Sequence, residues 1–490
     1  MYKMPTIEVF TNPLRIKRPM KKLTLALALF TFSLTGCNSI KSAGSSSYSP
    51  PGEQLASVAS VNDPGNWGKS SNATWHTLQH TPLHTLQEAA ATNPDPNAKG
   101  WLNLAIISKK YSTHSQQLIK ELQAWRSAYP AHPGGQLFPG DNDLNQILAE
   151  GQPKHIAVLL PLHGSMAASG QVVRSGFLSA YYDNMGHSGE KQALSFYDTN
   201  DSSDLGSLYQ KAVDEGADLV IGPLTKSEVE TLHNFNHFNV RVLALNYSTS
   251  SFFSSLPTNY YEFGLSPEEE TQQMADKARQ TGHSHALVIA SDDAWGHRVT
   301  SALSSSWKSK DGDIMDTLYF TKQSNLTTSI AALMHINPKE DQDLTREDNS
   351  KSVLAEQRRK DFDVIFLFAQ PEMARQIVPL LRFYYAGNVP VYSISAIYSG
   401  HPNPLKDRDL NGVTFCETPW LIQMAHSAGS PAQYDRLYAI GRDAYLLSQS
   451  MPRLSALPNF PIYGATGALD MDQQRIHQRL PWVTMHGGRI

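Results

Sequence analysis

From residue 154 onward, short apolar runs alternate with amphipathic stretches. The runs are "IAVLLPL" (156–162), "ALSFYD" (193–198), "DLVIGPL" (218–224), "VRVLALNY" (240–247), "HALVIAS" (285–291), "DVIFLFA" (363–369) and "VPVYSIS" (389–395). Between them lie stretches with helical spacing of apolar residues, such as "QVVRSGFLSAYYD", "TKSEVETLHNF" and "PEMARQIVPLLRFYYAG". Strands that alternate with helices of about 10 to 15 residues predict an α/β fold, with parallel sheets covered on both faces. The strands are too many for one compact sheet, so two lobes are expected. Lobe one is placed at 154–262 and 393–450, lobe two at 263–392 and 451–490. The charged, weakly patterned stretch 336–360 reads as a solvated insertion.

Residues 74–150 have a different period. Trp101, Leu104, Ala105, Ile107 and Ser108 keep i, i+3, i+4 spacing, and Leu118, Leu122 and Trp125 repeat it. "AYPAHPGG" closes the second helix with prolines and glycines. The pattern predicts a short antiparallel hairpin of the tetratricopeptide kind, which buries little by itself and leans on a neighbour.

The first 36 residues read as a targeting segment. Arg15, Lys17, Arg18, Lys21 and Lys22 form a basic cluster, and Leu23 to Leu34 is almost wholly apolar or small. That run is too short to span a bilayer and fits a signal-peptide core. It ends in "LTGC", which resembles a bacterial lipobox with Cys37 as the lipidated residue. Asn38 follows; in lipoproteins of this type a residue other than Asp there permits export to the outer membrane. The part from Met20 onward is a complete signal in itself, which makes Met20 a candidate start and leaves the choice among Met1, Met4 and Met20 open. Residues 37–73, rich in Ser, Gly, Pro and Asn, read as a lipidated flexible tether with a span of roughly 30 to 35 Å.

Composition narrows the function. The formal charge of the 490 residues is −4, and the first 36 hold six Lys/Arg against one Glu. The remainder is therefore more acidic still, which argues against nucleic-acid binding. Beyond Cys37 only Cys416 remains, so no disulfide framework exists, and a small buried hydrophobe is the expected role of that thiol.

Motifs for chemistry are weak. The strand–glycine–helix stretch 154–177 has neither G-x-G-x-x-G nor G-x-x-x-x-G-K-[ST], and no G-x-S-x-G occurs. Ser305 and Lys308 match S-x-x-K, but no S-D-N or K-T-G accompanies them. His76, His80 and His84 could share a helical face, yet Pro82 interrupts it, and "HTLQHTPLHTLQ" is read as a solvated turn rather than a metal site. Asp292 and Asp293 before Gly296 are read as a helix cap. No catalytic residue, metal ligand or cofactor is expected.

Several blocks carry a resemblance. "IAVLLPLHGSMAASGQVVRSGFLSAYY" is similar to the opening of type I periplasmic-binding domains. "DLVIGPLTKSEVETL", "ASDDAWGHRV", "RRKDFDVIFLFAQPEMARQIVPLLRFYYAGNVPVYSIS", "DLNGVTFCETPWLI" and "IYGATGALDMD" resemble the LppC/LpoA family, and "KGWLNLAIISKKYSTHSQQLIKELQAWRSAYPAHPGG" resembles the last repeat of its helical domain. The resemblance covers about 98–490 and implies a two-lobed periplasmic-binding-like domain over 151–490. It also implies an outer-membrane, periplasm-facing lipoprotein that activates a bifunctional class A penicillin-binding protein without being an enzyme. The family's long helical array is cut here to about one hairpin.

In this fold a ligand cleft lies at the carboxyl ends of the strands. Ser165, Ser169, Thr225, Ser248 and Thr249 are candidate cleft-lining residues, with helix capping as their other reading. The alternative function is a lipid-anchored solute-binding protein serving a transporter, for an amino acid or similar ligand. A wall hydrolase is a third reading and lacks the nucleophile motifs.

Overall fold

The computed structural model describes residues 61, 63–68, 70–188, 192–200, 204–249, 255–336, 358–384, 386–427 and 429–490. Cys37, the signal segment, the tether up to residue 60 and nearly all of the charged insertion lie outside the described residues.

Five helices come first: α1 (Ser71–His80), α2 (Leu83–Thr92), α3 (Pro96–Lys110), α4 (Ser115–Ala128) and α5 (Asp141–Ala149). This is more than the single hairpin expected. "HTLQHTPLHTLQ" is not a turn but the end of α1 and the start of α2, with Pro82 at the junction. The apolar repeat explains the difference: Leu78 and Leu86 are fully buried in one core with residues of α3 and α4. A weakly amphipathic helix gains its stability from such packing rather than from propensity.

The chain then enters lobe one through β1 (His155–Leu160), α6 (Ala167–Ser188), β2 (Ala193–Asp198), α7 (Leu205–Asp214), β3 (Leu219–Ile221), α8 (Lys226–His233), β4 (His237–Ala244) and β5 (Thr258–Phe263). Lobe two follows with α9 (Pro267–Gln280), β6 (His285–Ser291), α10 (Ala294–Lys308), β7 (Asp313–Phe320), α11 (Leu326–Leu333), β8 (Val364–Phe368), α12 (Pro371–Phe383), β9 (Val391–Ser393), α13 (Pro404–Asp407), β10 (Val413–Cys416) and α14 (Pro419–Met424). The remaining elements are α15 (Arg436–Ser448), α16 (Met451–Ala456), β11 (Ile462–Tyr463), β12 (Ala468–Asp472), β13 (Arg475–Arg479) and β14 (Trp482–Thr484).

Two sheets result, with strand orders β11-β12-β13-β5-β4-β3-β1-β2 and β14-β10-β9-β8-β6-β7. Each contains the doubly wound order 2-1-3-4-5, parallel throughout: β2-β1-β3-β4-β5 and β7-β6-β8-β9-β10. Period-two alternation buries both faces. Ile156, Val158 and Leu160 of β1 face α6 and α15, while Ala157 and Leu159 face α7 and α8. In lobe two, Leu287 and Ile289 of β6 fill one face and Ala286, Val288 and Ala290 the other.

The expected lobe boundaries need correction. β10 belongs with β9 to the sheet of lobe two, although 393–450 is expected in lobe one. β11 to β13 extend the sheet of lobe one through β13 and β5, although 451–490 had been placed in lobe two, and only β14 returns there. Periodicity identifies a strand but not the edge it joins. Three chain crossings therefore link the lobes, before α9, between α14 and α15, and between β13 and β14.

Candidate functional site

Five candidate residues follow three adjacent strand ends. Ser165 and Ser169 follow β1, Thr225 follows β3, and Ser248 and Thr249 follow β4. The structure thus gathers them at the carboxyl end of lobe one's sheet, beside the switch point between β1 and β3. Local bonding occupies several of them. Thr225 forms a capping box on α8: its Oγ1 accepts from the Glu228 N–H at 3.4 Å, and Glu228 Oε2 accepts from the Thr225 N–H at 3.1 Å. Ser248 is buried, with its N–H donated to Glu262 Oε1 at 3.1 Å. The Thr249 N–H is donated to Glu230 Oε2 at 2.8 Å. Ser165 is exposed and Ser169 half-buried at the start of α6.

Asp198, at the end of β2, organises the same rim. Its carboxylate accepts N–H groups from Leu162 at 2.9 Å and Asn200 at 3.0 Å, and the His163 ring lies against it. Burial works against its charged form, but the two N–H donors and His163 outweigh it and hold the carboxyl at about 2.

Asp293 caps α10 by accepting from Gly296 N–H at 2.7 Å, and Asp292 pairs with His297 at 2.9 Å. Ser305 is exposed on α10, with its hydroxyl donated to the Ser301 carbonyl at 3.1 Å. The His80 ring sits 2.7 Å from the His76 carbonyl within α1. Among the described residues no His, Cys, Asp or Glu group is arranged to hold a metal.

Sequence reasoning missed a buried polar network at the hinge. Arg436 opens α15 on the lobe one side. It reaches across to Glu417, at the end of β10, in a two-pronged ion pair with Nε–Oε1 at 3.1 Å. The same guanidinium donates to the carbonyls of Ser395 at 2.7 Å and Tyr398 at 3.0 Å. Glu270 of α9, also buried, accepts from Ser395 N–H at 2.8 Å and Ser395 Oγ at 2.9 Å. Burial pushes the Glu270 carboxyl up, against the pull of Ser395 and Arg436. Burial also pushes the Cys416 thiol well up, and the neighbouring Glu270 and Glu417 add to it. A thiol held protonated is a poor nucleophile, so Cys416 is a structural group.

A second set ties α9 to the β13–β14 crossing. Gln273 donates to the Gln478 carbonyl at 2.8 Å and accepts from Leu480 N–H at 2.9 Å, and His477 pairs with Glu269 at 2.8 Å. The available signal was the acidic Glu417 between an apolar strand and Pro419, since a charge in a buried run demands a partner. A cavity of about 870 Å³ opens elsewhere, where the helical region meets both lobes, and none of the five candidates lines it.

Two doubly wound lobes joined by three crossings, with a polar hinge, define the class of two-lobed periplasmic-binding-like proteins. The chain belongs to the LppC putative lipoprotein family, whose model matches residues 56–488. Among its relatives, the penicillin-binding protein activator LpoA of Photobacterium profundum is 27% identical over 422 residues, covering 84% of this chain and 68% of the relative. LpoA of Vibrio cholerae is 27% identical over 433 residues, covering 85% and 70%. Full-length LpoA from Haemophilus influenzae superposes with a TM-score of 0.56 at 24% identity, covering 88% of this chain and 77% of that one. A putative branched-chain amino acid ABC transporter protein from Chromobacterium violaceum gives 0.52 at 24% identity, covering 68% and 99%.

Proposed function

We propose that this protein is a non-enzymatic, outer-membrane lipoprotein, anchored through Cys37 and facing the periplasm, that activates a class A penicillin-binding protein. Family membership across 56–488 carries the reading, together with relatives named as activators of penicillin-binding proteins. Coverage supports it further. The activator fold matches 88% of the chain, helices included, whereas the transporter-type fold matches only 68%. Among the described residues no helix is long and apolar enough to cross a membrane. Activation would follow from contacting the active conformation of the synthase more favourably than the inactive one.

The test adds purified protein to a class A synthase and measures crosslinked product. Stimulation is expected. Thermal melting is screened in parallel against amino acids, since a ligand at 100 times its Kd adds about 2.7 kcal/mol. No stimulation, with a large rise in melting temperature for one amino acid, would hand the function to the transporter reading.

A further inference from the structure

We propose that the cavity between the helical region and the two lobes is a binding site for a neutral glycan. Its floor is built from Asp443, Tyr445 and Ser450, all buried on lobe one. Trp420 of α14 and Tyr463 of β11 add aromatic surface. Gln116 of α4, Gln152 ahead of β1 and Gln423 of α14 stand exposed on the rim, one from each of three parts of the molecule. The side chains of these three make no hydrogen bond among the described residues. At about 870 Å³ the space falls within the range of ligand pockets.

The lining selects the ligand class. Its polar groups are already engaged: Arg442 donates to Asp183 at 3.0 Å, Asp443 accepts from Ala465 N–H, Thr466 N–H and Thr466 Oγ1 at 2.7, 2.7 and 2.6 Å, and the His114 ring lies 3.0 Å from the Thr113 hydroxyl. No lysine and no second arginine lines the cavity to receive a phosphate or a charged peptide terminus. Carboxamides each offer donors and an acceptor, which suits hydroxyl groups that also do both. Aromatic side chains provide an apolar body against which the C–H face of a sugar ring can pack. Arg442 lies over the Trp420 indole at 4.7 Å, Tyr438 stacks on it at 5.3 Å, and its N–H is donated to the Gln433 carbonyl at 2.8 Å. The indole is therefore held in place before any ligand arrives, which lowers the ordering cost of binding. Aliphatic side chains in the lining are confined to Ala180, Pro419, Leu446 and Ala465.

The test uses no synthase, so its outcome does not depend on the activator reading. Full-length protein in detergent micelles is titrated calorimetrically with chitotetraose, and with capped tetra-alanine and inorganic phosphate as competitors in class. Saturable binding of the glycan alone is expected. Trp420→Ala should weaken it about ten-fold and Gln423→Ala about three-fold, with Gln116→Ala as a further exposed variant. If Trp420→Ala lowers the melting temperature, the two glutamine variants decide. Absence of heat up to about 10 mM glycan, binding of the peptide or phosphate instead, or glycan binding unaltered by the variants would each overturn the proposal. The crosslinking assay, run without glycan, judges the activator reading independently.

Discussion

Arg436 is held by four oxygens: both carboxylate oxygens of Glu417 and the carbonyls of Ser395 and Tyr398. Glu417 is fully buried, so removing the guanidinium strands a carboxylate away from water. Arg436→Ala is expected to lower the unfolding free energy by about 3 to 5 kcal/mol, measured by urea denaturation. Arg436→Met combined with Glu417→Leu should lose less than the single change, because the pair's desolvation cost disappears with it. A loss below about 1 kcal/mol for Arg436→Ala would mean that water reaches Glu417. Sequence could not show this pair. The partners lie nineteen positions apart in the chain, and charges read one at a time look solvated. The capping roles of Asp293 and Thr225 were legible, because a cap is local and its signal lies within four residues.

α6 and α15 pack closely along their lengths. Two glycines allow it: a Cβ on Gly176 would lie 2.0 Å from the Tyr438 carbonyl oxygen, and one on Gly441 2.0 Å from that of Val173. Gly176→Ala or Gly441→Ala would force the helices apart, at a cost of about 1 to 3 kcal/mol or more. Thermal melting should fall by several degrees for either, while Gly135→Ala, with only Trp125 at 4.0 Å, should leave it almost unchanged. Equal melting temperatures for all three would contradict the packing. Strands such as β1, β6 and β8 were legible because parallel strands buried on both faces are continuous apolar runs. The pairing of β11 to β13 was not, because partly polar strands at a sheet edge carry no label for the sheet they join.

At the scale of the whole molecule, the helical region and lobe one share a core. Leu457 and Phe460, from the α16–β11 connection, sit among Trp75, Leu122 and Trp125. The Trp75 and Gln79 side chains both donate to the Asn459 carbonyl, at 2.8 and 2.6 Å. Arg453 is buried at the seam and donates to the carbonyls of Ser112 and Phe460. Phe460→Ala should therefore lower the stability of both parts together, by about 3 to 5 kcal/mol, and calorimetry should show one shifted transition for them. A separate, unshifted transition for the clamshell would refute a shared core. The polar hinge extends this continuity to lobe two. Arg436 and Gln273 tie the chain crossings to each other, so a swing of lobe two wide enough to part them would leave Glu417 stranded. A load applied to the helical region is thus passed through lobe one to lobe two as through a bracket, with no loose joint between them to absorb it.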